Sequence, residues 1–100
     1  MRPIKWTARA KRRFREQQDY IATDSSREVA TVWGLRVLKA TEMLAEFPLA
    51  GRIVPEIGRG DIRELIVAEH FRVIYKVRRD ACDILSVRHT AFCIRSARSL

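Results

Sequence analysis

A chain of 100 residues with 47% hydrophobic and 32% charged side chains can form one folded domain, residues 1–100, and is too apolar to be wholly disordered. Twenty Lys and Arg residues against twelve Asp and Glu residues give a formal charge of +8, which favours anionic partners: nucleic acid, an acidic protein or a membrane surface. No apolar run reaches the length of a membrane-spanning helix and no apolar signal core follows Met1, so we expect a cytoplasmic protein that does not enter a membrane.

Arginine supplies most of the positive charge, because the only lysines are Lys5, Lys11, Lys39 and Lys76. A guanidinium binds phosphate or carboxylate through two parallel hydrogen bonds, which favours nucleic acid or a carboxylate-rich protein as the partner. The cysteines, Cys82 and Cys93, form no CxxC pair and are expected to be buried thiols rather than a disulfide. Neither they nor His70 have the spacing of metal ligands, so we predict no metal and no cofactor.

The N-terminal part of the chain predicts a short strand and a first amphipathic helix. Ile4 and Trp6 alternate in the strand "PIKW", and Thr7 is a plausible N-cap for a helix over about Ala8–Thr23. Apolar residues at helical spacing form the inner side of this helix: Ala10, Phe14 and Ile21. The other side is charged and carries Lys11, Arg12, Arg13, Arg15 and Glu16.

A second helix is predicted to start after Ser25 or Ser26, either of which can act as its N-cap, and to stop before Pro48. Glu28 then lies favourably near the positive end of the helix dipole. The apolar stripe of this helix consists of Val29, Trp33, Val37, Ala40, Leu44 and Phe47. Because the link between the helices is short, they should pack as an antiparallel hairpin.

After the connector "PLAGRIVPEIGRGD" the apolar period changes from about 3.6 residues to about 2, which is typical of strands. Three strands are predicted, at Ile62–Val67, Phe71–Val77 and Cys82–Val87. Short links make them an antiparallel meander. The order is therefore β-α-α-β-β-β, an α+β fold with the helix hairpin packed on one face of a small antiparallel sheet.

Alternation along the middle strand of the meander separates a core face from a polar face. The core face is predicted to hold Phe71, Val73, Tyr75 and Val77. Arg72 and Lys76 are expected to project from the opposite, open face. Arg72 there could contact an anionic partner, shield the sheet, or pair with Glu64 across the hairpin.

Six segments occur in the running order of one known superfamily: "IKW", "DYIA", "FPLAGRIVPE", "IRELIV", "FRVIYKV" and "ILSVRH". From Ile4 to about Thr90 the chain resembles the RelE/ParE superfamily, the toxins of type II toxin–antitoxin modules. The resemblance implies the fold described above and a cognate antitoxin protein as partner. It leaves two activities open, because RelE-like members cleave messenger RNA on the ribosome and ParE-like members inhibit DNA gyrase.

The nuclease alternative would need an acid, a base and a cation around one phosphate. The resemblance to RelE-like nucleases implies that Arg72 would neutralise the phosphate, while Glu56 and His89 would be the acid–base groups. Arg63 would be a second phosphate clamp. The chain departs from those nucleases at Thr90, where some members end in His-Tyr, and it lacks the lysine pair that others carry before the first meander strand.

The ParE-like alternative accounts for "DYIA", the long second helix and "LAEFP", so we favour DNA gyrase over the ribosome and its mRNA as the target. The residues expected to bind an antitoxin or nucleic acid are Arg63, Arg72, Lys76, Arg52 and Arg59. Structural roles remain open: an ion pair for Arg63, a solvated Glu56 and a hydrogen-bonded His89. A third interpretation is a basic nucleic-acid-binding module without toxicity.

Overall fold

The computed structural model describes residues 1–91, 94 and 100, and its elements follow the predicted order. They are β1 (Ile4–Trp6), α1 (Ala8–Asp24), α2 (Arg27–Met43), β2 (Arg52–Ile53), β3 (Ile62–Val67), β4 (Phe71–Val77) and β5 (Cys82–His89). The predicted bounds of β3 and β4 are confirmed, whereas β5 continues to His89 and β2 is a strand that we did not predict. Cys82 is a buried thiol as expected, and Cys93 lies outside the described residues.

Side-chain caps determine where the two helices begin. Thr7 Oγ1 accepts a hydrogen bond from the Ala10 N–H at 3.0 Å, and Ser26 Oγ accepts one from the Val29 N–H at 3.1 Å. Each bond satisfies a backbone donor that the first helical turn leaves without a partner. The predicted cap of α1 is confirmed, and of the two serines predicted for α2 it is Ser26 that caps the helix. No helix in the described part of the chain is long and apolar enough to cross a membrane.

The C-terminal end of α2 differs from the prediction, because the helix ends at Met43 and not at the later proline. After Met43 the backbone tightens into turns, and the Ala45 carbonyl accepts a hydrogen bond from the Arg2 N–H at 3.0 Å. This hydrogen bond joins the segment after α2 to Arg2, just before β1. The chain therefore leaves the helix axis before Phe47. Phe47 is exposed, as is Val29 at the rim of the stripe, so the prediction of these two residues as core was wrong.

The sheet has five strands in the order β1-β5-β4-β3-β2. The predicted antiparallel meander is confirmed, and β1 adds a parallel pair with β5, so the sheet is mixed. The register sets Phe71 directly opposite His89, while Arg72, the next residue along β4, points to the other face. The predicted turn between β3 and β4 is also confirmed, with Ala68 and Glu69 in the left-handed backbone region.

Both faces of the sheet are covered. The helix hairpin covers the first core, which consists of Ala10, Trp33, Val37, Leu44, Val67, Val73, Tyr75, Ile84 and Val87. A second core on the opposite face consists of Val54, Ile62, Ile74, Ile94 and Leu100. The prediction of an open sheet face was therefore wrong, because residues from the connector and from the chain after β5 cover that face. The predicted core side of β4 is confirmed.

Candidate functional site

Arg72 lies in a buried network of ion pairs and not on an open surface. It is 6% exposed. Its Nη1 donates a hydrogen bond to Glu64 Oε2 at 2.8 Å, and its Nη2 donates one to Glu56 Oε2 at 3.0 Å. The pairing of Arg72 with Glu64 across the hairpin, one of the predicted alternatives, is therefore present. Glu56 is an ion-pair partner and not a freely solvated loop residue.

Arg52 extends this network towards solvent. Glu64 is 1% exposed, and its Oε1 accepts a hydrogen bond from Arg52 Nε at 2.8 Å and lies 2.7 Å from Arg52 Nη2 in an ion pair. The pairing of β2 with β3 sets these two residues directly opposite each other. We call Arg52, Glu64, Arg72 and Glu56 the ion-pair chain. Its two positive and two negative charges cancel, which compensates the two buried charges of Arg72 and Glu64.

The charges of the ion-pair chain reinforce one another. The hydrogen bond from Arg72 lowers the pKa of Glu56 from its ordinary value, against the opposing effect of burial. Burial acts to lower the pKa of Arg72, but the hydrogen bonds to Glu56 and Glu64 outweigh it, so that pKa is raised. Both groups therefore stay charged at neutral pH. A general acid or base needs a pKa near the working pH, so the paired Glu56 is poorly suited to proton transfer.

His89 lies on the helix side of the sheet, away from the ion-pair chain. Its ring meets the edge of Phe71 with the ring centroids 5.4 Å apart, and it stacks against His70 at 6.0 Å. Its Nδ1 accepts a hydrogen bond from the Ala91 N–H at 3.1 Å, which is the structural role proposed as an alternative. Since directly paired residues of neighbouring strands share a face, His89 and Arg72 project from opposite faces of the sheet.

Arg63 holds the connector through backbone carbonyl groups. Its Nη1 donates a hydrogen bond to the Gly51 carbonyl at 2.9 Å, and its Nε donates one to the Gly60 carbonyl at 3.1 Å. The partners differ from the carboxylate proposed for the structural alternative. The Arg63 side chain therefore closes the loop between β2 and β3, and it is half-buried.

The two remaining predicted binding residues are Arg59 of the connector and Lys76 of β4. Arg59 donates two hydrogen bonds to the Asp61 carboxylate, of 3.1 Å and 2.8 Å, on an exposed part of the connector. Lys76 is half-buried on β4 and stands opposite Asp83 of β5. The predicted binding residues therefore do not form one exposed cluster. Most of them are in contact with acidic side chains or backbone carbonyls of the chain itself.

Tyr75 fixes the connector to the sheet, a role that sequence reasoning missed by treating it as packing alone. Its hydroxyl donates a hydrogen bond to the Pro48 carbonyl at 2.8 Å and accepts one from the Gly51 N–H at 2.9 Å. Burial raises the pKa of Tyr75, so the hydroxyl keeps its proton and its donor. The sequence could have indicated this role, because Tyr75 was predicted in the core and a buried tyrosine hydroxyl usually has a hydrogen-bond partner.

An apolar groove lies on the helix side of the molecule, next to α2. It has a volume of about 480 Å³ and is lined by Ile21, Glu28, Val29, Val32, Trp33, Arg36, Ala68 and Phe71. We call it the α2 groove. Trp33 Nε1 is buried and has no hydrogen-bond partner in the described part of the chain. Val32 was the sequence signal for this surface, since it is an apolar residue outside the predicted core stripe.

Comparison with known proteins identifies the family. A family model described as "ParE toxin of type II toxin-antitoxin system, parDE" matches residues 4–92. The chain belongs to this family. The relatives of this ParE-family chain include "Putative toxin Y4kP" of Sinorhizobium fredii, 40% identical over 88 residues that cover 86% of this chain and 85% of the relative.

A solved structure shares the fold of the ParE-family chain. It is described as "Chromosomal ParDE TA system from P. aeruginosa", and it superposes with a TM-score of 0.75 at 19% identity, over 89% of this chain and 96% of that chain. The resemblance to the RelE/ParE superfamily and the α+β fold are thereby confirmed, with the ParE-like branch as the matching one. Among the described residues, no group of three or more His, Cys, Asp and Glu side chains is arranged to hold a metal ion.

Proposed function

We propose that this ParE-family chain is a toxin that inhibits bacterial growth by acting on DNA gyrase, and that a cognate antitoxin neutralises it. One observation carries the choice of gyrase over ribosomal mRNA. Arg72 and Glu56 belong to the ion-pair chain on one face of the sheet, whereas His89 packs against Phe71 on the other. The family match supports the toxin and the antitoxin.

RNA cleavage requires its cation, base and acid around one phosphate, within hydrogen-bond reach of the reacting oxygens. A sheet separates His89 from the other two predicted catalytic residues. Arg72 also has both terminal nitrogens on carboxylates, at 2.8 and 3.0 Å, so a phosphate would have to displace Glu64 or Glu56. Displacing Glu64 would leave this buried carboxylate with Arg52 alone as its counter-charge, which is costly.

The test compares two targets with the same purified chain. Supercoiling of relaxed plasmid by purified gyrase should fall as the protein is added, while a reporter mRNA in a translation extract should stay intact and be translated. Cleaved mRNA with undiminished supercoiling would reverse the proposal. A protein that is folded but affects neither assay nor growth would support the non-toxic alternative.

His89→Asn tests the separation of the two faces. Asparagine keeps an acceptor near the Nδ1 position for the Ala91 N–H, so the fold should be retained. Growth inhibition should stay within about twofold of the wild type, because a residue that only packs contributes no proton transfer, whereas loss of an acid–base catalyst costs about 10²–10⁴-fold. Toxicity is measured by colony counts after induced expression, with protein levels matched.

The α2 groove is a suitable place for an antitoxin to bind. Its walls are mainly apolar, and Val29 and Val32 leave much of their side chains in solvent. Apolar grooves of this kind receive the apolar side chains of a partner segment. The +8 charge of the chain opposes self-association and favours an acidic partner.

A pair of matched substitutions tests this position. Val32 lies in the α2 groove and Leu35 lies outside it, yet both are on α2, with exposures of 59% and 56%. Val32→Glu should weaken capture of the co-expressed antitoxin by at least about tenfold, as expected for a charge buried in an interface. Leu35→Glu should change it by less than about threefold. Equal capture by the two variants would exclude the groove, and titration calorimetry would provide the affinities.

A further inference from the structure

The first two turns of α1 form a dense run of positive charge. Five of the seven residues from 9 to 15 are cations: Arg9, Lys11, Arg12, Arg13 and Arg15. The first turn of α1 holds no acidic residue, in contrast to α2, which has Glu28 there. Cations near the start of a helix interact unfavourably with its dipole, so helix stability does not account for this run. We call these five residues the basic ridge.

Four residues of the basic ridge are exposed, and Arg13 is half-buried. Ala10 and Phe14 point inward to the first core, which directs the intervening cations outward. Lys11, Arg12 and Arg15 are exposed and form no ion pair within the described part of the chain. Their charges are therefore available to an outside partner.

Charges from the helix and from the sheet add up beside β5. α1 packs on this strand, and the half-buried Arg88 has its pKa lowered, first by burial and then by the positive charges of Arg13, Arg9 and Arg72. The surroundings of Arg72 have the opposite effect, since two carboxylates raise its pKa. Arg88 stands directly opposite Arg72 in the sheet, so the positive charges of Arg9 and Arg13 reach the sheet beside the ion-pair chain without a matching carboxylate among the causes of this shift.

We propose that the basic ridge binds the phosphate backbone of double-stranded DNA. Guanidinium groups suit phosphate oxygens because each can donate two parallel hydrogen bonds. Single strands are usually held by bases stacked on exposed aromatic rings, but Trp6 and Phe14 beneath the ridge pack against the core and against each other. Binding through the backbone depends on charge and not on base sequence. The inference does not depend on gyrase being the target.

The experiment measures fluorescence anisotropy of a short labelled duplex titrated with the full chain as salt is raised from about 50 to about 200 mM. The ridge variant carries Lys11→Gln, Arg12→Gln and Arg15→Gln, three exposed positions where glutamine suits a helix. Its affinity at the lower salt should fall at least about tenfold. The slope of log affinity against log salt should become shallower by about two to three, since each phosphate contact contributes about 0.9.

The control variant removes the same charge elsewhere through Arg27→Gln, Lys39→Gln and Arg79→Gln, which are also exposed and lie outside the α2 groove. It should keep its affinity within about threefold and its salt slope within about one. Circular dichroism verifies that both variants are folded. Equal losses in the two variants, salt-independent binding, no duplex binding, or tighter binding to the matching single strand would each overturn the proposal. If the ridge variant loses duplex binding but the wild-type chain does not inhibit gyrase, this inference stands and the proposed target is rejected.

Discussion

Arg72 has its guanidinium between two carboxylates in a nearly dry part of the sheet. Alternation correctly assigned it to the face opposite Phe71, but the second core covers that face and buries the side chain. A buried arginine can be retained only if carboxylates compensate its charge, and Glu64 and Glu56 do so. At this scale, the residue that most resembled a catalytic group has its charge compensated by carboxylates of the chain itself.

Removing the Arg72 side chain should therefore cost much more than removing an exposed arginine. Arg72→Ala leaves the fully buried Glu64 without its counter-charge on that side and should lower the free energy of unfolding by about 3–5 kcal/mol. Arg59→Ala breaks the exposed pair with Asp61 and should cost less than about 1 kcal/mol. Urea unfolding followed by circular dichroism measures both.

A larger loss of stability in Arg59→Ala than in Arg72→Ala would mean that Arg72 serves binding and contributes little to stability. Arg72→Met combined with Glu64→Leu provides a further check, because it removes both buried charges. Replacing a buried ion pair by apolar residues of similar size is often neutral or stabilising. The double variant should therefore recover much of the stability that Arg72→Ala loses.

The connector between α2 and β3 is docked on the sheet along much of its length. Tyr75 binds it at Pro48 and Gly51, and Arg63 binds it at Gly51 and Gly60. β2 forms within it because its backbone pairs with β3. A segment rich in proline and glycine is thus an ordered part of the sheet edge, where its side chains supply half of the ion-pair chain.

Two glycines of the connector should respond differently to alanine. A Cβ at Gly51 would lie 2.5 Å from the Glu64 carbonyl oxygen and 2.6 Å from the Tyr75 hydroxyl, whereas a Cβ at Gly60 would meet no atom within 4 Å. Gly51→Ala should lower the free energy of unfolding by about 1–3 kcal/mol, as overpacking does. Gly60→Ala should change it by less than about 0.5 kcal/mol, as a surface substitution does.

Thermal and urea unfolding of the two glycine variants, each compared with wild type, measure these differences. A stable Gly51→Ala protein with unchanged antitoxin binding would show that the connector can move away from Tyr75 at little cost. An unstable Gly60→Ala protein would show that the loop closed by Arg63 is tighter than its open surroundings indicate.

At the scale of the whole molecule, the sheet divides the chain into two sides with different physical roles. The helix side holds the larger core, His89 and the α2 groove. The other side holds the second core and the ion-pair chain. The basic ridge borders the sheet where α1 packs on β5, and none of its residues lines the α2 groove, so two different partners can contact these two surfaces.

Much of this arrangement was predictable from local pattern. The spacing of Ala10 and Phe14 indicated the inner side of α1, Thr7 its start, and alternation from Phe71 to Val77 the core side of β4. These features depend on contacts between residues near in sequence, whose periods are fixed by helix and strand geometry. The resemblance carried by the strand segments also indicated the family that the comparisons then confirmed.

The amino-acid sequence by itself determined the order of the elements other than β2, the cap of α1, the meander and the core side of β4, because backbone geometry and local periodicity govern them. Tertiary structure alone decided that β1 pairs with β5, that the second face is covered, and that His89 and Arg72 are separated by the sheet. The physical reason is distance along the chain. Burial and charge compensation depend on which remote segments pack together, and no local period encodes that choice.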